Sequence, residues 1–187
     1  MRVIAGEFRS RRLKSLPGAE TRPTPDRLRE TLFDILQPHI EGVLFTDAYA
    51  GTGAVGIEAL SRGAAHAVFL ERNRAAVDII RENIASLGLS GRATVIRGKV
   101  LEALTRYTAG IIFLDPPYDL ESEYTGALDI LADAPALIVV QHSVRQAMPD
   151  PHRALKRTQV VRQGDNALSF YASSAPHPTT LATTLAD

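Results

Sequence analysis

The sequence predicts an α/β fold, a mostly parallel sheet with helices on both faces, within one 187-residue chain. Two observations lead there. Short apolar runs without alternation recur between segments of helical period, the pattern of strands buried on both sides. Several of these runs end on an acidic residue at a glycine or proline turn, where open parallel sheets bind ligands.

In chain order, residues 2–5 and 11–16 are expected to be short extended segments around Gly6-Glu7-Phe8-Arg9-Ser10, plausible as a hairpin. Thr24 is expected to cap a helix with Pro25 in its first turn. Its apolar face is Leu28, Leu32, Ile35 and Leu36, and Pro38 is expected to end it. Val43 to Asp47 is the first strand of the sheet, followed by a glycine turn and a helix through Val55, Ile57, Ala59 and Leu60. Ala67 to Leu70 is the second strand, ending at Glu71. A helix marked by Val77, Ile80, Ile84 and Leu87 stops at Gly88. Thr94 to Arg97 is the third strand and Ile111 to Leu114 the fourth, running into Asp115. Leu137 to Val140 is the fifth, after a helix around Leu128 and Leu131. Ala154 to Val161 and Ala167 to Ala172, joined by a turn-rich link, are expected to pair antiparallel, and 173–187 to form a flexible tail.

Composition narrows the function. A hydrophobic content of 45% suits a single core, and the longest apolar stretches fall far short of the ~20 residues that span a bilayer. With no secretory signal pattern at the start, a cytoplasmic location without membrane contact is expected. The absence of cysteine removes disulfides, thiolate metal sites and thiolate nucleophiles. The histidines are scattered, so no metal site is expected. Net charge is zero, yet residues 1–14 carry +4 through Arg2, Arg9, Arg11, Arg12 and Lys14 against Glu7, a candidate phosphate-contacting arm.

Asp47 to Gly56 contains G-x-G-x-x-G directly after a strand and before a helix. Glycines let a nucleoside ligand approach the backbone, and the helix start supplies free N–H groups. Glu71, twenty residues beyond Gly51, is placed to accept from ribose hydroxyls. A dinucleotide and S-adenosylmethionine fit equally well to this point. Asp47 favours the latter, since it would repel a pyrophosphate and attract an ammonium or sulfonium group.

Asp115-Pro116-Pro117-Tyr118 follows the fourth strand. The prolines fix φ and lack N–H donors, so the Asp115 carboxylate and the Pro116 carbonyl are expected to stand as adjacent acceptors for an exocyclic base amine, with Tyr118 stacked on the base. Carbon methylation of a pyrimidine normally requires a thiolate, which this chain lacks. These residues leave guanine N2 and adenine N6 open as acceptors, with a nicotinamide-dependent oxidoreductase or a non-catalytic RNA-binding module as more distant readings.

Arg2-Val3-Ile4-Ala5-Gly6, Arg22-Pro23-Thr24 with Arg29-Glu30, Asp47 through Gly56 into Glu58-Ala59-Leu60-Ser61-Arg62-Gly63-Ala64, and Asp115 to Tyr118 together resemble the bacterial 16S rRNA guanine-N2 methyltransferases. The likeness runs from residue 1 to about 171 and includes Gly164-Asp165 before the last strand. It implies a Rossmann-like, seven-stranded methyltransferase sheet (39–172) with an N-terminal hairpin and helix extension (1–38) that contacts RNA. It further implies S-adenosylmethionine as methyl donor and 16S rRNA within an assembled small subunit as substrate, acted on by a monomer. Asp47, Gly51 and Gly53 would hold the methionine end of the donor and Glu71 its ribose. Asp115, Pro116 and Tyr118 would be catalytic, with Pro117 at the target base. Arg9, Arg11, Arg12, Arg22 and Thr24 would meet the RNA or lie near the site. Two positions depart from the pattern. Lys99 stands where an acid often accepts from the adenine amine, which shifts that contact to backbone groups of Lys99 and Val100, and Gln141 replaces an acid at the fifth strand end.

Overall fold

The structure, a computed structural model, describes residues 1–16, 26–107, 110–117 and 120–173. Its strands are β1 (Leu44–Ala48), β2 (His66–Glu71), β3 (Ala93–Arg97), β4 (Ile111–Leu114), β5 (Leu137–Ser143), β6 (Leu155–Gln163) and β7 (Asn166–Ser173). They form one sheet in the order β3-β2-β1-β4-β5-β7-β6. The first five are parallel, while β7 runs antiparallel between β5 and β6. The helices are α1 (Asp26–Ile40), α2 (Ala54–Ser61), α3 (Arg74–Ser86), α4 (Val100–Leu104) and α5 (Glu121–Ile130). Every strand expected in the sheet is present, the largest shift being in β5, which runs to Ser143 rather than ending at Val140. Thr24 and Pro25 lie outside the described residues, as does the tail from 174 onward.

The apolar residues divide by strand parity between the two faces. Phe45, Ile111, Phe113, Val139, Leu168 and Phe170 pack with Leu28, Leu32, Phe33 and Leu36 of α1. Phe69 packs with Ile80 and Ile84 of α3. The opposite face buries Ile112, Leu114, Ile138 and Val140 against Leu104, Tyr124, Ala127 and Leu128. By the same parity Asp47 and Gln141 share the α1 face with Phe45 and Val139.

One expectation fails at Pro38, which does not end its helix. α1 continues to Ile40, whose side chain is completely buried. A proline there forfeits a single intrahelical hydrogen bond in the last turn, and burial of Ile40 outweighs that loss. Helix α4, one turn and a half after Lys99, carries too short a period to stand out in the sequence.

Residues 1–16 form a tight antiparallel loop rather than a hairpin of two regular strands. Arg2 bridges Arg12, the Val3 N–H donates to the Arg11 carbonyl (3.0 Å), and the Leu13 N–H donates to the Met1 carbonyl (3.0 Å). This loop is docked. The fully buried Glu58 carboxylate on α2 accepts from the N–H groups of Ile4 (2.7 Å) and Ala5 (2.9 Å) and from Arg62 Nε (2.9 Å). The Ser61 hydroxyl donates to the Ala5 carbonyl (2.6 Å) and accepts from the Phe8 N–H (3.0 Å). Gly6, at φ +79°, lies so close that a Cβ would stand 1.9 Å from the Ser61 carbonyl oxygen. On the neighbouring helix α3, Asn83 Oδ1 accepts from the Lys14 N–H (2.8 Å), while its Nδ2 donates to the carbonyls of Lys14 (3.2 Å) and Thr52 (3.1 Å).

Removing one partner of a buried charged pair leaves the other uncompensated. Glu58→Ala is therefore expected to cost about 3–5 kcal/mol of unfolding free energy in urea titration and to open residues 1–16 to proteolysis. A loss below about 1 kcal/mol would contradict this account of the docking.

Candidate active site

Strand order reverses between β1 and β4, and a cavity of about 570 Å³ opens at their C-terminal ends, within the range that holds a small-molecule ligand. Asp47, Gly51, Glu71, Val100, Asp115, Pro116 and Pro117 all line it. The strand ends are tied together where they diverge, by the Asp115 N–H donating to the Ala48 carbonyl (3.3 Å) and the Ala50 N–H to the Leu70 carbonyl (3.0 Å).

The glycine turn takes its shape from positive φ at Gly51 (56°) and Gly53 (79°) and, unexpectedly, at Tyr49 (64°). Tyr49 tolerates that conformation while its hydroxyl hydrogen-bonds Glu123 at the start of α5 (2.5 Å), and its ring forms part of the cavity wall. Gly53 lies behind the cavity as the residue preceding α2, where an added Cβ would press on Phe69 and Ile80 at 3.3 Å. It shapes the turn rather than lining the pocket.

Both strand-end acids are held by backbone donors. Glu71 accepts from the Gly51 N–H (2.9 Å) and, through its other oxygen, from the Asn73 N–H (2.8 Å). Asp47 Oδ2 accepts from the Gly56 N–H in the first turn of α2 (2.8 Å). Burial drives the Asp47 pKa well above the usual carboxylate value; the Gly56 bond opposes this, and the nearby charges of Asp115 and Glu71 reinforce it. Val100 reaches the cavity, whereas the Lys99 side chain is exposed and paired with Glu102 (3.1 Å). Gln141, near the end of β5, is buried and also lines the cavity.

At the Asp-Pro-Pro segment the Pro116 carbonyl accepts a hydrogen bond from the buried Tyr124 hydroxyl (3.2 Å), and the Leu120 N–H donates to the Pro117 carbonyl (3.1 Å). Tyr124, on the inner face of α5, escaped the sequence analysis because its apolar neighbours mark it as an ordinary core residue. Tyr118, Arg22 and Thr24 lie outside the described residues. Arg9, Arg11 and Arg12 are exposed on the docked N-terminal loop, away from the cavity. Met1 and Ser15 of that loop are part of the cavity wall.

The residue that sequence reasoning missed most clearly is Arg29. It is fully buried on α1 and lines the cavity, and its Nη2 donates to the Arg2 carbonyl (2.7 Å) and to Asp26 (3.0 Å). Its Nε and Nη1 are buried without a hydrogen-bond partner among the described residues. Desolvation lowers its pKa, with Glu58 and Asp26 acting in the opposite direction. An unsatisfied buried donor costs about 1–3 kcal/mol, more when it is charged. A pocket offering carboxyl groups at Asp47 and Glu71 and, at Arg29, a buried guanidinium with two nitrogens uncommitted among the described residues fits a ligand that is itself zwitterionic and carries a ribose.

Residues 1–172 match the family described as Conserved hypothetical protein 95. Ribosomal RNA small subunit methyltransferase D of Escherichia coli is 38% identical over 156 residues, covering 80% of this chain and 78% of its own. The chain belongs to this family of S-adenosylmethionine-dependent methyltransferases. Among solved structures, the Escherichia coli protein yhhF superposes with a TM-score of 0.81 at 34% identity, covering 94% of this chain and 99% of the other. A Salinibacter ruber RNA methyltransferase solved with S-adenosyl-L-homocysteine shares the fold at 16% identity (TM-score 0.65), covering 86% and 99%. The methyltransferase thus has the family's sheet. Among the described residues no helix is long and apolar enough to cross a membrane.

The raised Asp47 pKa has a definite sign. As pH rises from about 3.8, the unfolded chain releases this proton before the native state does, so stability falls until the native pKa is passed. Asp47→Asn keeps an acceptor for Gly56 and removes the buried charge. The ligand-free variant is expected to melt higher than the parent at pH 7 and to show a flatter pH dependence, while binding S-adenosylmethionine at least about tenfold more weakly, or about 1.4 kcal/mol. Thermal melts from pH 4 to 8 together with calorimetry check both halves. A lower melting temperature at pH 7 would refute the sign.

Proposed function

We propose that this methyltransferase modifies the exocyclic N2 amine of a guanine in 16S rRNA. The observation that carries the reading is a shared cavity. The Asp115-Pro116-Pro117 acceptors and the Asp47, Gly51 and Glu71 set border the same space at the switch point of the sheet. The name of the Escherichia coli relative supplies the substrate class, and the N-terminal and Arg-Pro-Thr segments supply the resemblance to guanine-N2 enzymes.

Glu71 would accept from the ribose hydroxyls of the donor, Asp47 would face its cationic end, and backbone groups near Val100 would meet its adenine. Bound S-adenosylmethionine supplies an electrophilic methyl group on a sulfonium. Asp115 and the Pro116 carbonyl accept the N–H bonds of the target amine, which draws the nitrogen lone pair out of conjugation and aligns it for attack. The Tyr124 hydroxyl holds that carbonyl in place through one of its lone pairs and leaves the other for the base. Once methylated, the nitrogen is acidic enough for Asp115 or water to take its proton. Tyr118 stacks on the base. Arg9, Arg11 and Arg12 contact phosphates, so residues 1–38 serve as the RNA-facing extension of the domain at 39–172, with Arg22 and Thr24 close to the target. The enzyme acts as a monomer in the cytoplasm on a pre-assembled small subunit.

Asp115→Ala is expected to lower methyl transfer to small subunits at least about a thousandfold while S-adenosylmethionine affinity changes less than threefold. Nucleoside mass spectrometry of the product is expected to show N2-methylguanosine. N6-methyladenosine in its place would move the assignment to adenine, and full activity of the variant would remove Asp115 from the chemistry. Replacing Arg9, Arg11 and Arg12 together by Ala is expected to reduce the slope of log K against log salt by about 2–3 in RNA-binding titrations. An unchanged slope would mean that these arginines do not meet phosphate.

A further inference from the structure

The mechanism leaves one buried charge without a task. Arg29 has no exposed surface, and its Nη2 is committed to the Arg2 carbonyl and Asp26. Its Nε and Nη1 have no partner among the described residues. The nearby Glu58 carboxylate is occupied by the N–H groups of Ile4 and Ala5 and by Arg62. Among the described residues no anion is bonded to Nε or Nη1, and Arg29 belongs to the wall of the same cavity as Asp47 and Glu71.

Those carboxylates would repel any anionic group entering the cavity, so a ligand that carries one needs a cation to receive it. Arg72 is also on the wall, but its side chain is exposed and water screens its charge. Arg29 lies in the interior, where charge-assisted hydrogen bonds are strongest, and its planar donors suit a carboxylate. Helix α1 packs on the sheet face to which strand parity assigns Asp47, so a cation and an anion meet the cavity from one side.

We propose that Arg29 is the carboxylate anchor of the donor site, its Nε and Nη1 groups binding the α-carboxylate of the methionine moiety while Asp47 faces the ammonium and sulfonium charges. This rests on S-adenosylmethionine as the ligand. It also gives α1, together with the N-terminal loop bonded to Arg29 through the Arg2 carbonyl, a direct part in donor selection. A nucleoside without the amino-acid group leaves the guanidinium unpaired and gains nothing from it.

Calorimetry on the full chain tests this with S-adenosylmethionine, its decarboxylated analogue and 5′-methylthioadenosine, using wild type, Arg29→Met and Arg29→Lys. Wild type is expected to prefer S-adenosylmethionine over the decarboxylated analogue by about 30-fold or more. Arg29→Met is expected to erase that preference while its affinities for the two ligands without a carboxylate stay within about twofold of wild type. A preference retained in Arg29→Met, or an equal loss for all three ligands, would overturn the assignment, the latter marking a purely structural role. Should circular dichroism show Arg29→Met unfolded, Arg29→Lys decides by the same comparison: a reduced preference supports the anchor and an intact one overturns it. A flattened salt dependence of RNA binding in either variant, with the preference intact, would give the guanidinium to a backbone phosphate and also overturn it. If wild type binds no S-adenosylmethionine at all, the donor reading itself falls, and the anchor with it.

Discussion

At the last register position between β1 and β4, the Asp115 N–H still reaches the Ala48 carbonyl; beyond it the two chains part. The strand order turns there, with β2 and β3 on one side of β1 and β5, β7 and β6 beyond β4. Because parallel strands return through right-handed crossovers, the connections leaving β1 and β4 pass to opposite faces and open a crevice that no side chain has to carve. The residues that line the cavity follow from that constraint. Asp47 and Gly51 are where β1 gives way to α2, Glu71 is where β2 ends, and Asp115 to Pro117 are where β4 ends. Their convergence is a property of topology, and the side chains decide only what the crevice binds.

The crevice is then closed from outside the sheet. The N-terminal loop reaches the cavity wall at Met1 and Ser15 because Glu58, Ser61 and Asn83 bind its backbone rather than its side chains. This frees Arg9, Arg11 and Arg12 to face outward while the loop that bears them stays fixed. Asn83 bonds both Lys14 and Thr52, so the arginine-bearing loop and the glycine turn share one buried amide. A shift in either is felt by the other through hydrogen bonds that burial makes costly to break. The arginine-bearing loop and the glycine turn of the cavity are therefore mechanically linked even though Arg9, Arg11 and Arg12 do not line the cavity.

How much of this was legible in the sequence depended on the range of the interaction. Strands and the helices α1, α2, α3 and α5 were readable because their apolar spacing is local, and the strand-end acids were readable because they sit one residue past such runs. Pro38 misled because a local rule met a tertiary one, the burial of Ile40. Glu58 was visible only as a letter in a motif. A signal was nonetheless present, since it is the lone charge in an octet, Ala54–Ser61, whose every residue is buried. A single acid in such a helix has to be matched by donors from elsewhere, here Ile4 and Ala5. Arg29 stood in the sequence only beside Glu30 as part of a motif, and only the structure reveals that Asp26 accounts for one nitrogen of its buried guanidinium.

The buried charges on the cavity wall cost the fold stability. Asp47 is pushed toward its neutral form and Arg29 is weakened as a base by the same burial, and two guanidinium nitrogens of Arg29 have no partner among the described residues. A fold selected for stability alone would have filled these positions with apolar residues, as buried ion pairs elsewhere can be replaced without loss. Retaining them only partly paired means that a ligand bearing complementary charges would meet groups already desolvated and held in place, so that less of the interaction is spent on reorganisation. The instability that these buried charges impose and the selectivity they would give toward such a ligand come from the same desolvation, which is why a substitution that relieves the first is expected to weaken the second.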